Sequence, residues 1–574
     1  LAEGNGAVGA LRQFFELVPT RSRRAFWSVF VLMLISALAE VVTVAAVLPF
    51  LTLLTRPEST AGLPWLGGIA PRDPFAAGAF LAAAAIVAGA LRLRLSWMTQ
   101  RFAFGLGHDI SVEIQSKVLA QPYSWHVTHA SREILASLEK AQLISSGVGL
   151  QAVQAMSGAV IALFIVAALV SIDPIAAGAA AALLGLVYAA VSFAAHRRLV
   201  RHSRTVSSAY GERIGIVQES LGGIRDVILD EAQPLYLEAF RRVDGELSRA
   251  RSAAGFIATA PRFAVEAAGI ALVAAAALLL SRGEGGFAGA LPVLGALALG
   301  AQRLLPLVQQ VYQGWSAIQT NRKVTEDIVE LLRLPAGRAH EGEDSTPLPL
   351  EREVRFEGVG LSYPGRSEPA LSGIDLVIPR GARLAVVGPT GSGKSTLADL
   401  LMGLLEPEEG TITVDGAVLE GARRRAWRRS IAHVPQSIFL ADGTIERNIA
   451  FGCAPDRIDR RRVAEAAARA QLADFIATLP QGYETRVGER GVRLSGGQRQ
   501  RVGIARAIYK GAPVLVFDEA TNALDEATEA AVVKALEGLA EEGLTVIVIA
   551  HRTSAIAACD MVVRLENGRL AAAV

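Results

Sequence analysis

Long stretches without charge set the first constraint on this chain. Six apolar segments lie at roughly 26–54, 75–95, 146–172, 174–195, 261–281 and 287–312. Each reaches the length of about 20 residues that an α-helix needs to cross the hydrocarbon core of a bilayer. Backbone N–H and C=O groups in lipid must be satisfied within the segment, so such stretches fold as helices. The third and fourth are the cleanest, with no charged side chain from Ala141 to Ile172 or from Pro174 to Ala195. Asp173-Pro174 between them reads as a tight turn, which makes the pair a hairpin. Buried helices of a large soluble protein do not account for the number and length of these segments.

The composition agrees. Hydrophobic residues make up 51% of the chain, the mean hydropathy is +0.36, and the apolar residues concentrate before position 311. The length of 574 residues asks for more than one domain. A net charge of +2 excludes a globally basic nucleic-acid binder. Two cysteines, Cys453 and Cys559, have no ligand spacing and argue against a disulfide framework or a zinc site.

Loop charges orient the membrane half. Arg21, Arg23 and Arg24 precede the first segment; Arg92, Arg94 and Arg101 follow the second; His196, Arg197, Arg198, Arg201 and Arg204 follow the fourth; Arg322 and Lys323 follow the sixth. The opposite loops carry less positive charge, which places the N-terminus and the C-terminal half in the cytoplasm. The first segment is too long for a signal-peptide core, and no cleavable signal is expected. Two polar stretches, 101–140 and 197–251, alternate charge with Leu, Val and Ile at helical spacing. They read as membrane helices running on into the cytoplasm, joined by short crosswise turns near 123–129 and 222–230. The loop 55–73, with three glycines and three prolines, reads as irregular rather than as an amphipathic helix on the outer surface. The expected organisation is an all-α six-helix transmembrane domain over 1–335, a linker over 336–349 and an α/β P-loop domain over 350–574.

The run Gly388-Pro389-Thr390-Gly391-Ser392-Gly393-Lys394-Ser395 fits G-x-x-x-x-G-K-[ST], follows an apolar strand at 383–387 and opens a helix. Glycines let backbone N–H groups turn inward around a phosphate, and the helix N-terminus adds positive dipole. Lys394 would reach the β- and γ-phosphates and Ser395 would hold Mg²⁺. Val514–Glu519 reads as a buried strand ending in two carboxylates, Asp518 for the metal and Glu519 as general base for the attacking water. Leu494-Ser495-Gly496-Gly497-Gln498 is a second Gly-rich loop opening a helix.

With that second loop the chain resembles the ATP-binding cassette transporters, whose signature motif Leu494–Gln498 matches without change. The resemblance implies ATP and Mg²⁺ bound by Gly388, Thr390, Gly391, Ser392, Gly393, Lys394, Ser395 and Thr396. It implies Tyr363 stacked on adenine, and Gln436 touching Mg²⁺. Glu489-Arg490-Gly491 is similar to the loop typical of exporters. Ser495, Gly496, Gly497 and Gln498 of the signature would meet the nucleotide of a second cassette, Ala523-Leu524-Asp525 is similar to the D-loop, with Asp525 near the nucleotide, and His551 would meet the γ-phosphate. Asn522 departs from the Ser that the family often has before Ala-Leu-Asp. One cassette and six spans imply half a transporter, expected to pair as a homodimer because Glu519 and the signature are both intact. The implied mechanism is alternating access driven by ATP-dependent closure of paired cassettes.

More loosely, the membrane half resembles bacterial lipid-linked oligosaccharide flippases through Glu40, Pro49-Phe50-Leu51, Pro261-Arg262 with Glu266, and Arg303-Leu304-Leu305-Pro306. Charges at membrane depth usually face a cavity or a partner, and guanidinium forks suit phosphate. Arg92, Arg262 and Arg303 are therefore the expected substrate residues, facing a lipid-pyrophosphate head group; the bland reading is that Arg92 and Arg262 snorkel while Glu40 and Glu266 pair with arginines as structural glue. The expected activity is ATP-driven flipping of a lipid-linked or amphipathic substrate, lipid-linked oligosaccharide foremost, across the bacterial inner membrane. The alternative is a multidrug or lipid A-type exporter. A protease-fused peptide exporter is disfavoured by the lack of a cysteine before Cys453, and a soluble cassette ATPase by the membrane segments.

Overall fold

The computed structural model describes residues 7–55, 74–172, 174–280, 286–335, 346–365, 368–518, 538, 543–550 and 553–571. The chain divides into two compact units, Leu1–Gln121 with His126–Ala339, and His340–Val574 with the short segment Pro122–Trp125.

Up to Leu332 the described chain is helical: α1 (Ala7–Leu17), α2 (Thr20–Thr55), α3 (Pro74–Leu119), α4 (Tyr123–Thr128, whose first three residues fall in the second unit), α5 (Ser131–Leu143), α6 (Leu150–Ile172), α7 (Pro174–Gly222), α8 (Ile224–Leu229), α9 (Gln233–Leu280), α10 (Gly286–Thr320) and α11 (Arg322–Leu332). Among the described residues, the stretches Thr20–Val47, Pro74–Leu119 and Ser131–Val170 are long and apolar enough to cross a membrane. The other three apolar segments fall on α7, α9 and α10. α3, α7 and α9 hold 46, 49 and 48 residues, so each runs many turns past the bilayer core. The polar stretches expected to continue the membrane helices do so, and the two crosswise turns are the short helices α4 and α8. The hairpin residue Asp173 and the loop 56–73 lie outside the described residues.

Close packing of α6 on α10 depends on glycine. A Cβ on Gly314 would stand 2.3 Å from the Ala155 Cβ, and one on Gly158 would stand 2.9 Å from the Leu307 carbonyl oxygen. A π-helical turn, Ile144–Gly149, joins α5 to α6. α9 runs through Pro261, which has no N–H to offer the carbonyl of Ile257 one turn earlier. The hydroxyl of Tyr312 on α10 donates to that oxygen at 3.1 Å, and Gln309 Nε2 donates to the next carbonyl, Ala258, at 3.0 Å. Neighbouring-helix donors thus replace the missing amide, as a membrane environment requires. Beyond the spans, Asp327 of α11 accepts from Ser207 of α7 at 2.6 Å and pairs with Lys140 of α5 and Lys323 of its own helix. Burial alone would raise its carboxyl, but these donors outweigh it and hold the group below the usual carboxylate range.

The second unit carries two sheets. Strands β1 (Glu353–Leu361), β2 (Leu371–Pro379), β4 (Glu409–Val414) and β5 (Ala417–Val418) form an antiparallel sheet in the order β2-β1-β4-β5. Strands β3 (Arg383–Val387), β6 (Ile431–Val434), β7 (Val514–Asp518), β8 (Thr545–Ile549), β9 (Met561–Glu566) and β10 (Arg569–Ala571) form the second, ordered β10-β9-β3-β8-β7-β6. It is parallel except for the β9–β10 hairpin. Its central strands are continuous apolar runs, as strands covered on both faces must be, and β8 is buried at every position.

Candidate functional site

The phosphate-binding loop leaves the carboxyl end of β3 and turns into α12 (Lys394–Leu401). Ligands of parallel α/β sheets gather at that end. Gly393, the residue before the helix, has φ +103°, and a Cβ there would stand 2.7 Å from the Ala370 carbonyl oxygen. Gly391 has φ +83°. A Cβ on Gly388 would stand 2.2 Å from the Leu565 carbonyl oxygen and 2.8 Å from Ser392 Oγ. The loop is therefore wedged between the β1–β2 connection and β9, and only glycine fits its corners.

Lys394 is 7% exposed, and its Nζ donates at 2.9 Å to the carbonyls of both Gly388 and Pro389. The loop so wraps its own ammonium group. Gly568 N donates to the Ser392 carbonyl at 3.2 Å and pins the loop to the β9–β10 turn. The Ser392 hydroxyl is buried and has no hydrogen-bond partner among the described residues. A buried hydroxyl left unpaired is costly, and a phosphate oxygen would answer it. Thr390, Gly391 and Ser395 are exposed, while Thr396 is buried with its hydroxyl 3.4 Å from that of half-buried Tyr363.

Val386 of β3 and Asp518 of β7 both pair with Ile549 of the intervening β8. Asp518 thus lies two strand spacings, about 10 Å, from the start of the loop. Asp399 on α12 is pushed up to about 6, by burial first and then by the negative charge of Asp518. Ser395, Asp518 and exposed Gln436, two residues past β6, offer the oxygen donors that suit Mg²⁺, and a divalent cation would offset this surplus of negative charge. Among the described residues no three His, Cys, Asp or Glu side chains cluster as a metal site.

The far end of α12 is anchored separately. Trp427, 0% exposed, donates its indole N–H to the Leu401 carbonyl at 2.7 Å, and Arg428 Nε donates to Gly403 O at 2.8 Å. The helix that follows the glycine-rich loop is thus held at its C-terminal end as well.

The second Gly-rich loop opens the 15-residue helix Gly496–Lys510. Ser495 Oγ accepts from Gln498 N at 3.2 Å, and Gln498 Oε1 accepts from Ser495 N at 2.8 Å, a reciprocal capping box. Within the chain the Gln498 side chain turns back on its own helix; Gly496 has open space where a Cβ would stand. Glu519, Asp525 and His551 lie outside the described residues.

In the first unit, Arg92 of α3 and Arg303 of α10 converge on Glu40 of α2. Arg92 Nε lies 2.7 Å from Glu40 Oε1, and Arg303 Nη1 donates to Oε2 at 3.2 Å. The three line a cavity of about 290 Å³ with Gln154, Gln302 and Gln310. Arg262 is placed elsewhere, exposed on α9 and paired at 2.7 Å with Glu266 one turn on. The charges stand out in the sequence, whereas Asp399, Trp427 and the cavity glutamines depend on contacts across elements and leave no motif.

The family model for the ABC transporter matches residues 371–522, and that for the ABC transporter transmembrane region matches 24–282. The ATP-dependent lipid A-core flippase of Cupriavidus metallidurans is 37% identical over 388 residues, covering 66% of this chain and 63% of the relative. That of Saccharophagus degradans is 42% identical over 255 residues, 44% of this chain and 42% of the relative. The match to the first thus spans under two thirds of that curated relative's length. Among solved structures, a bacterial Atm1-family ABC exporter with ATP bound aligns at TM-score 0.77 and 25% identity over 96% of this chain and 94% of that one. A membrane-spanning helical region followed in one chain by a phosphate loop, a signature helix and their parallel sheet has one family behind it: the chain belongs to the ATP-binding cassette transporters and has the half-transporter organisation of their exporters.

Proposed function

We propose that two copies of this chain form an ATP-driven exporter that moves a lipid with a phosphate-bearing head group across the bacterial inner membrane. The cradle of Gly388, Ser392, Gly393 and Lys394 supports the ATPase half of this reading. In it, backbone amides and Lys394 hold the phosphates, Tyr363 packs on the base, and Glu519 takes a proton from the attacking water. Mg²⁺, held by Ser395, Asp518 and Gln436, would neutralise charge on the transferring phosphate. The signature loop of the partner subunit would close over the same nucleotide, so that ATP favours the paired state.

The observation that carries the cargo reading is the convergence of Arg92 and Arg303 on one carboxylate in a polar cavity within the membrane helices. Guanidinium pairs at this depth are expensive without an anion, and phosphate is their best-matched ligand. Arg262, satisfied by Glu266, contributes less. Lipid A-type cargo is favoured because the relatives named above act on lipid A-core; a lipid-linked oligosaccharide shares the phosphate chemistry and is the second reading. In zwitterionic nanodiscs, ATP turnover by the full-length protein should rise with phosphorylated lipid A and not with its dephosphorylated form, and Arg303→Gln should abolish that rise. Stimulation by cationic drugs that is indifferent to Arg303 would point to a multidrug exporter instead. Glu519→Gln should stop turnover in either case.

A further inference from the structure

We infer that Glu40 is an internal counter-ion that shares Arg92 and Arg303 with the cargo's phosphate and so governs how readily that phosphate is released. The inference rests on the phosphate-lipid reading. Glu40 has a side chain only 3% exposed, whereas those of Arg92 and Arg303 are 45% and 30% exposed. The carboxylate therefore sits behind the two guanidiniums, and they form the accessible surface. Arg303 Nη1 donates to Oε2, whereas Arg92 Nε lies in ion-pair contact with Oε1, which is buried and accepts no hydrogen bond of good geometry among the described residues. A guanidinium carries five N–H donors, so the pair keeps donor capacity that one carboxylate does not use. The cavity's charged lining, two arginines and one glutamate, leaves one net positive charge.

This arrangement has a consequence for a transporter. Two unpaired arginines at membrane depth would bind a phosphate strongly and be costly to leave bare. A buried carboxylate behind them lowers both extremes. It holds the guanidiniums in place when no cargo is present, and it competes for them when cargo must leave. Arg262 shows the contrast, since its carboxylate lies beside it on the same exposed helix face and outside this cavity. Glu40 acts through the arginines and is a positioning residue.

The test uses the full-length protein in zwitterionic nanodiscs, titrated with phosphorylated lipid A and with its dephosphorylated form. The readouts are ATPase stimulation and equilibrium binding. Glu40→Gln keeps an oxygen that can accept from Arg303 and removes the charge. It should lower the half-saturating concentration of the phosphorylated lipid about tenfold, the scale of one unit charge a few ångströms away in a partly hydrated site. It should also lower maximal turnover and leave the dephosphorylated lipid unaffected. The gain should shrink as salt rises. Gln302→Glu, which adds a carboxylate at an exposed lining position, should raise half-saturation by a similar factor, and the double variant should return close to the parent. Half-saturation unchanged in Glu40→Gln, or shifted equally for both lipids, would overturn the inference and leave Glu40 as packing glue. If Glu40→Gln does not fold, an unshifted Gln302→Glu overturns it equally, because charge balance is then not what sets affinity. Phosphorylated-lipid stimulation that survives Arg303→Gln would instead remove the phosphate-cargo reading itself.

Discussion

Replacing Trp427 by Phe isolates one hydrogen bond that holds the nucleotide-binding helix. Trp427 is fully buried, and its N–H is the donor that meets the Leu401 carbonyl at the C-terminus of α12. The amide that would close another helical turn onto that carbonyl belongs to Leu405, and it bonds to Asp399 O instead. Phenylalanine preserves most of the ring volume and removes the N–H, leaving a buried acceptor unpaired. That loss costs about 2 kcal/mol, within the range of roughly 1–3 for a buried unsatisfied group. For a domain of this size it should lower the unfolding midpoint by about 4–8 °C.

The assay is thermal unfolding of the full-length protein in detergent, following the transition that a nonhydrolysable ATP analogue raises. In the proposed reading the nucleotide sits at the opposite end of α12, so the analogue should still stabilise the variant. Trp427→Ala should fall further, by about 3–5 kcal/mol in total, because a cavity adds to the lost bond. A Trp427→Phe midpoint equal to that of the parent would refute the reasoning, since the indole would then contribute only volume.

Two further outcomes follow from contacts described above. Tyr312→Phe should destabilise the helical unit by about 1 kcal/mol in detergent unfolding, the usual scale for an interhelical hydrogen bond in membranes. Paired with Pro261→Ala it should cost almost nothing, because the restored amide answers the Ile257 carbonyl; an equal loss in both backgrounds would show that the hydroxyl acts elsewhere. Asp399, held up at about 6 against the ordinary 3.8, makes ionisation oppose folding, so its contribution is fully present below about pH 4 and is lost as pH rises through 6. Asp399→Asn should therefore raise the cassette's unfolding midpoint at pH 7–8 and leave it unchanged near pH 4, whereas a gain independent of pH would rule out this origin.

Elements built from contiguous residues were legible. The apolar lengths that mark membrane helices coincide with α2, α3, α6, α7, α9 and α10, and residues 383–387 and 514–518 are the strands the apolar runs implied. Each of these signals lies within one segment, where periodicity and length decide the outcome. The antiparallel sheet β2-β1-β4-β5 was not separable from the general strand–helix alternation, because its pairing joins Val354 to both Ile378 and Val414 and depends on register. Asp399 escaped for a similar reason: only the packing of α12 against the strand that ends at Asp518 brings two carboxylates into one field.

The three membrane arginines show which charges a sequence can place and which it cannot. Arg262 has Glu266 four residues on, a pair that one helix can form before any packing. Arg92 has no acidic residue within a helical turn on either side, nor has Arg303, and Glu40 has no basic one. An ion at that depth with no partner on its own helix must find one on another or carry the full cost of desolvation. With three such ions in three spans, mutual pairing is the least costly arrangement, and α2, α3 and α10 are packed so that it forms. A charge satisfied locally spends its capacity at home. Charges forced to meet across helices leave a polar cavity where they meet, and that cavity is where the proposed anionic cargo would be held.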